Sequence, residues 1–386
     1  MHVIGNEGEG ARFPEKPGDI GGFGAGNRGA CGSGAGGRRT DGPVAPLGRY
    51  RAPDDSVGAR VGVDIDRPHA ALVVGKRGAG KTHTLAVLAE GVAAADGLAP
   101  VVVDPMGVLD GLAVDGGTVH RRPRVRPNAV PPAAWPGLLD LDPAGAVGSL
   151  VWRAVAEAET PSVAGAREYV ADADAGRATR RAADAHLALA AEWDAFDPDG
   201  LTPRALASGE PTVLDCSGLP APAAGAVCAA VARGLYEARV RGTVDRLPWL
   251  FVDEAHAFFD GVAGDALATI LTRGRAPGVS LACATQRPAA LPAVAVSQAD
   301  LLVAHRLHSR ADIDALAAAR PLAVADGLAE RLPTGVGEAL VVDDASETAS
   351  TVRVRERRTP DGGASPRASD RPLDGCERSH DGCRQE

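Results

Sequence analysis

The stretch that decides the fold is residues 70–82, which read AALVVGKRGAGKT. Five apolar residues predict a buried strand, and a GxxxxGKT loop follows it immediately before a helical pattern. Glycines let such a loop curl so that its N–H groups point at phosphates, while the helix presents its positive end. The segment therefore predicts a nucleotide site for ATP. Its expected binding residues are Gly75, Lys76, Arg77, Gly78, Ala79, Gly80, Lys81, Thr82 and His83.

Two residues of this loop have predicted chemical roles. Lys81 is expected to bridge the phosphates during catalysis, because its ammonium group carries a positive charge. Thr82 is expected to coordinate Mg²⁺ through its hydroxyl group. ATP and Mg²⁺ are thus the predicted substrate and cofactor.

A second segment, residues 247–254, reads LPWLFVDE. It predicts an apolar strand that ends in two carboxylates at the edge of the sheet where the phosphate loop also lies. Asp253 is expected to hold the metal through water. Glu254 is expected to act as the general base that polarises the attacking water.

Short apolar runs alternate with helical patterns along the middle of the chain, which indicates an α/β fold with a mostly parallel sheet and helices on both faces. A long alanine-rich stretch, 145–207, predicts a helical insertion. Two short β-like pieces are expected at 48–52 and 59–64. The main predicted strands are 70–74, 100–104, 211–215, 249–253, 280–284, 301–304, 338–342 and 351–355. The predicted helices are 82–95, 182–196, 223–239, 265–272 and 310–319.

Composition divides the chain into a central domain and two ends. Residues 1–46 include a glycine-rich stretch, and residues 358–386 are rich in Pro, Gly, Asp, Arg and Ser, so both ends are predicted to be disordered. Residues 47–357 then form one P-loop ATPase domain. A Cys376, His380 and Cys383 cluster is too incomplete to predict a metal site.

The net charge of −9 argues against wrapping DNA on an outer surface, although it leaves room for a small basic pore lining. Aromatic residues make up only 3% of the chain, which disfavours a stacking platform for single strands. Six scattered cysteines and the absence of long apolar runs favour a cytoplasmic protein without direct membrane insertion.

Five motifs in order resemble the HerA/FtsK superfamily of DNA-pumping ATPases, and the HerA branch most closely. They are the phosphate loop, VVVDP at 101–105, TVLDCSGL at 212–219, DEAHAFF at 253–259 and GVSLACATQRP at 278–288. The resemblance covers about 61–355. It implies a RecA-like core in a homohexamer, ATP at subunit boundaries and double-stranded DNA in a central channel. The family's N-terminal barrel, which helps the ring assemble and meet a nuclease partner, is represented here only by 48–64.

The resemblance also implies roles for three residues. Gln286 matches the polar residue that senses the γ-phosphate. Arg275 matches an arginine that reaches the ATP of the adjacent subunit, with Arg273 and Arg287 as competing candidates. Asp104 matches an acid near the active site, although a strand-end capping role stays open.

These observations favour an ATP-hydrolysing motor that translocates or remodels double-stranded DNA. The alternatives are a coupling or packaging ATPase for conjugative or viral DNA, and a non-motor nucleotide switch. For DNA contacts, the basic stretch 120–126 and the Arg180, Arg181 pair are candidates, and a solvated surface is the competing interpretation of both.

Overall fold

A computed structural model of the protein describes residues 1–5, 42–52, 54–319, 327–344 and 346–362. Twelve strands in these ranges form a single mixed sheet. They are β1 His2–Ile4, β2 Val44–Arg51, β3 Val57–Asp64, β4 Ala70–Val74, β5 Leu98–Asp104, β6 Thr118–Arg121, β7 Thr212–Asp215, β8 Leu247–Val252, β9 Ser280–Thr285, β10 Leu301–Ala304, β11 Glu338–Asp343 and β12 Thr348–Val354.

The strand order is β1-β3-β2-β12-β11-β10-β4-β9-β8-β5-β7-β6. From β10 to β6 every neighbouring pair is parallel, with Val74 opposite Thr285 and Val103 opposite Val252. The sheet then continues from β10 through β11, β12, β2 and β3 by antiparallel pairs, and β1 adds to β3 in parallel. The molecule thus joins a parallel half to a mainly antiparallel half.

Several of the helices that cover the sheet belong to the stretch 145–207. The helices in the described residues are α1 Lys81–Ala93, α2 Trp135–Leu138, α3 Ala146–Glu157, α4 Val163–Asp172, α5 Arg177–Glu192, α6 Pro203–Leu206, α7 Ala221–Val240, α8 His256–Phe259, α9 Gly264–Arg273, α10 Ala293–Ser297, α11 Arg310–Ala318 and α12 Leu328–Arg331.

The sheet has a hydrophobic core on each face, because successive strand residues point in opposite directions. Val73 packs with α1 in one core, and its neighbour Val74 packs with α3, α5, α7 and α9 in the other. Burying a side chain such as Leu88 or Leu250 stabilises the fold by about 1.5–3 kcal/mol. The α/β fold with a mostly parallel sheet and helices on both faces is therefore confirmed.

All eight main predicted strands and all five predicted helices are present, with bounds that differ by at most five residues. Two strands, β1 and β6, are additional. Both lie at the edges of the sheet and are short, so their sequences carry little apolar alternation.

The predictions for the chain ends need correction where the structure describes them. The predicted disordered segment 1–46 includes β1 and the beginning of β2, which pair with β3 and bury Ile4 and Ala45. Residues 358–362 lie on α1 and on the loop after β5. Residues 6–41 and 363–386, including Cys376, His380 and Cys383, lie outside the described residues.

Candidate functional site

The candidate site is at the carboxyl edge of the parallel half of the sheet. Strand β9 lies between β4 and β8, and the three strands run in the same direction. The phosphate loop follows β4, Asp253 and Glu254 follow β8, and Gln286 follows β9. Parallel strands therefore bring three segments that are distant in sequence to one edge.

The phosphate loop depends on glycine at three positions. Gly78 and Gly80 have φ angles of 74° and 117°, in the left-handed region that side chains rarely adopt. Gly75 is required for space, because a Cβ atom there would lie 2.7 Å from the Cβ atom of His305. The predicted loop conformation is thus present.

Helix α1 begins directly after this loop, and no side chain caps its amino terminus. The first N–H groups of an α-helix have no acceptor within the helix, and they carry its positive partial charge. The curled loop and the uncapped helix together offer backbone donors to an anion, which is the arrangement that binds phosphate.

The Lys81 side chain is buried behind the loop, and its Nζ atom donates to the carbonyl oxygen of Lys76 at 3.3 Å. Burial lowers the pKa of this ammonium group, while the nearby carboxylates of Glu254 and Asp253 act in the opposite direction. The single carbonyl partner leaves the ammonium group with further donors for an anion.

The hydroxyl group of Thr82 donates to Oδ2 of Asp253 at 2.8 Å. Burial raises the pKa of Asp253, which is 1% exposed, although the bond from Thr82 opposes this shift. Hydroxyl and carboxylate oxygens are ligands that Mg²⁺ prefers, and a carboxylate can also hold the ion through a water molecule. The Thr82 hydroxyl and the adjacent Asp253 carboxylate therefore fit a Mg²⁺ site. Among the described residues, no three His, Cys, Asp or Glu side chains form a metal cluster.

Glu254 has an unusual backbone and an unsatisfied side chain. Its φ angle is 47°, a left-handed conformation that concentrates at functional sites when it occurs outside glycine. Its N–H donates to Oδ1 of Asp253 at 2.9 Å. Its Oε2 atom is buried without a hydrogen-bond partner, 3.5 Å from Nδ1 of His256. A carboxylate oxygen has two lone pairs, so Oε2 can accept a hydrogen bond from a water molecule and another from a neighbouring N–H group.

Gln286 and Arg275 lie at opposite ends of β9. Gln286 follows its carboxyl end and is half-buried at the same edge as the phosphate loop. Arg275 is exposed and precedes its amino end, and a strand of this length spans about 17 Å. Arg273 lies at the amino edge with Arg275, whereas Arg287 lies beside Gln286. The structure thus brings Gln286 to the edge that carries the phosphate loop and places Arg275 at the opposite edge.

Asp104 has a structural role at the same edge. Its carboxylate accepts N–H groups of Met106, Gly107 and Leu109 at 2.7–3.0 Å. Burial raises its pKa, and the three backbone bonds oppose that effect. The strand-end capping interpretation is therefore the one that its contacts support.

Three residues that the sequence analysis did not select contact the site. His256 and Thr285 lie within 3.2 Å of each other beside Glu254. His305 is fully buried and connects α1 to β11, since its ring bonds Thr84 and the carbonyl oxygen of Glu338 at 2.8 Å each. Burial lowers the pKa of His305 to about 4, so its ring is neutral at pH 7. The sequence signal for these residues was their position: His256 and Thr285 lie inside two of the motifs, and His305 directly follows a buried strand.

Each of the two basic candidates for DNA contacts includes an arginine with internal bonds. Arg124 pairs with Asp194 and Asp197, and Arg180 donates to carbonyl oxygens at the end of α4. Neither contact supports a pore lining. In the part of the chain that the structure describes, no helix is both long enough and apolar enough to span a bilayer.

No family model matches this sequence, and no curated protein matches it significantly. Solved structures do match its fold. VirB4 of Thermoanaerobacter pseudethanolicus has a TM-score of 0.60 at 17% identity, over 83% of this chain and 98% of that one. The chain shares its fold with VirB4. The bacterial conjugative coupling protein TrwBΔN70 has a TM-score of 0.54 at 15% identity, over 78% and 88% of the two chains. Its complex with a non-hydrolysable GTP analogue has a TM-score of 0.52 at 16% identity, over 76% and 88%. The fold is thus that of RecA-like P-loop NTPases.

Proposed function

We propose that this chain is an ATP-hydrolysing motor of the HerA type that translocates or remodels double-stranded DNA in the cytoplasm. The observation that carries the proposal is the meeting of three groups at one edge of the sheet. The phosphate loop with Lys81, the Thr82–Asp253 oxygen pair and the orphan Oε2 atom of Glu254 form the parts of a hydrolytic site.

Each group has a distinct task in this proposal. Loop N–H groups and Lys81 bind the phosphates of ATP and stabilise the charge that develops on them. Thr82 and Asp253 would hold Mg²⁺, which supplies further neutralisation of the phosphates when bound. Glu254 orients the attacking water and accepts its proton. Gln286, at the end of the adjacent strand, is positioned to contact the γ-phosphate and to transmit its loss to its own loop.

The position of Arg275 supports assembly into a ring. An arginine at the amino edge cannot reach the ATP of its own subunit, whereas an adjacent subunit could place it against a neighbouring site. A guanidinium group supplied in this way stabilises transition-state charge and makes hydrolysis depend on assembly. We therefore propose a homohexamer with ATP at the subunit boundaries.

The DNA part of the proposal depends on the motifs shared with the HerA branch. Duplex DNA would pass through the central channel and contact basic side chains that neutralise its phosphates. A nuclease is the proposed partner. Strands β2 and β3, which the resemblance likens to a reduced barrel, continue the main sheet through β12.

The test is the ATPase rate with and without linear duplex DNA, on protein whose mass in solution is measured by light scattering. A hexamer of this 39.2 kDa chain whose turnover rises several-fold with DNA is the expected result. ATP turnover that is indifferent to DNA, from a monomer or dimer, would replace the motor by a nucleotide switch. A Lys81→Ala preparation controls for contaminating ATPases.

A further inference from the structure

The contacts of His256 show that one ring nitrogen faces two functional groups. Its Nδ1 atom lies 3.2 Å from Oγ1 of Thr285 and 3.5 Å from Oε2 of Glu254. The first distance is within hydrogen-bonding range and the second is at its limit. In this state the ring therefore bonds the threonine, and the carboxylate oxygen has no donor.

A neutral imidazole nitrogen carries either one proton or one lone pair, so Nδ1 can make one good bond at a time. Burial lowers the pKa of His256, and the charges of Arg287 and Lys81 act in the same direction against that of Asp253, which favours the neutral ring. Thr285 and Glu254 therefore compete for the same atom.

Thr285 belongs to the segment that carries Gln286. Its hydroxyl oxygen also accepts the N–H of Arg287 at 3.0 Å, so the threonine fixes the turn that follows β9. A displacement of this turn moves Oγ1 away from Nδ1. The ring is then available to donate a hydrogen bond from its Nδ1–H group to Oε2 of Glu254, in the tautomer that carries a proton on Nδ1.

We propose that His256 is a positioning residue for Glu254 and that Thr285 regulates it by competing for Nδ1. This inference rests on the proposed hydrolytic function. The geometry assigns the pair a connecting role: a change at the end of β9 reaches the general base through one imidazole ring. His256 acts through Glu254 and does not touch the nucleotide in this account.

The test replaces His256 by Asn or by Gln, whose amide groups lie near different nitrogen atoms of the imidazole ring. In His256→Asn the amide lies near the position of Nδ1, whereas in His256→Gln it extends toward Nε2. His256→Ala should lower kcat by about tenfold, because a misplaced base loses orientation, with the KM for ATP unchanged within about twofold. Asn should restore most of kcat, and Gln should not. Equal kcat values for Asn and Gln would overturn the role of Nδ1.

A second pair of variants tests the competition. Thr285→Val removes the hydroxyl at nearly constant volume, and Thr285→Ser retains it as the matched control. Val should raise the DNA-free ATPase rate about threefold and reduce stimulation by DNA, while Ser should resemble the parent. Parent-like rates for both would overturn the competition.

The same assays separate this inference from the function on which it rests. Parent protein without ATPase activity, or Glu254→Gln with full activity, would overturn the hydrolytic function itself. Loss of turnover in Glu254→Gln together with parent kcat in a folded His256→Ala would overturn only the positioning role.

Discussion

Two buried carboxylate sites, both in contact with α1 or its loop, have opposite hydrogen-bonding states. At the carboxyl edge, Asp253 has a raised pKa and Glu254 has an orphan oxygen. Farther along α1, Glu90 accepts bonds from Arg355, from the N–H groups of Arg358 and Thr359, and from the Thr359 hydroxyl, at 2.6–2.9 Å. The site of Asp253 and Glu254 can accept further hydrogen bonds, whereas the carboxylate of Glu90 can accept almost none.

The pKa values of Glu90 and Asp253 shift in opposite directions. Burial alone would raise the pKa of Glu90, but the bonds from Thr359 and Arg355 outweigh it and lower the pKa below its ordinary value. Such a carboxylate is structural, because every donor is already in place. At Asp253 burial prevails, so the carboxylate favours a cation that compensates its charge. The comparison teaches that a buried acid whose oxygens are filled by donors holds the fold, whereas a site that keeps an orphan oxygen, as Glu254 does, points to the ligand.

The largest expected effect is at the functional end of α1. Lys81→Ala should lower ATP turnover by at least about a thousandfold, because it removes the ammonium group that meets the developing phosphate charge. Steady-state ATPase assays measure the loss. Arg233→Ala, which removes an exposed cation on α7, is the matched control and should keep the parent rate. Comparable activity in the two variants would contradict the phosphate-loop assignment.

Arg275→Ala should lower turnover by about a thousandfold if the guanidinium group acts in a neighbouring site. Mixing Arg275→Ala with Lys81→Ala subunits should recover part of the activity, since some interfaces then combine an intact loop with an intact arginine. Arg273→Ala, at the same edge, is the control and should resemble the parent. An absence of rescue in verified mixed rings would exclude action between subunits.

At the satisfied site, Glu90→Gln should lower the free energy of unfolding by about 2 kcal/mol, because a charged acceptor of four bonds becomes a neutral amide. Urea denaturation measures the change, and ATP turnover should persist in the folded protein. Glu237→Gln, at a half-buried partner of the exposed Arg233 and Arg241, is the control and should change stability by less than about 0.5 kcal/mol.

The lowered pKa of Glu90 fixes the sign of a pH effect. Its folded-state pKa is below its unfolded value, so its stabilisation is present above the unfolded pKa and is lost as pH falls through the folded pKa. The stability difference between parent and Glu90→Gln should therefore shrink in acid. A difference that is constant from neutral to acidic pH would contradict the ionised state of Glu90.

The smallest predicted effect has the opposite sign. Asp253→Asn should stabilise the nucleotide-free protein by about 1 kcal/mol, because it removes a buried charge while its amide can bond Thr82 and the Glu254 N–H. Asp104→Asn is the matched contrast and should destabilise, since its NH₂ group would face a backbone donor. Thermal denaturation of the two variants measures the change in stability at each site. A lower stability of Asp253→Asn than of the parent would contradict the comparison.

The sequence predicted the parallel half of the sheet well, because 70–74 and 249–253 are apolar runs that lead directly into motifs with strong backbone requirements. It also placed Lys81, Thr82, Asp253 and Glu254 at one edge. Their proximity follows from strand direction alone, once the strands are assigned.

The contacts of His256, His305 and Glu90 could not be predicted in this way. Each depends on side chains more than 25 residues away in sequence, and no local pattern states which partner will be adjacent. The strand pairing in the antiparallel half could not be predicted either, since β1 pairs with β3 across a separation of about 60 residues. An acid inside the apolar pattern of α1 was a visible signal, but its partners were not.

The most direct test of the central claim is a single-turnover experiment on Glu254→Gln. Binding of a fluorescent ATP analogue and cleavage of ATP are measured on the same preparation. The account predicts binding within about twofold of the parent and cleavage slower by about a thousandfold, because the site keeps its phosphate contacts and loses its base. Cleavage at the parent rate would contradict the assignment of Glu254 and, with it, the hydrolytic site at the carboxyl edge.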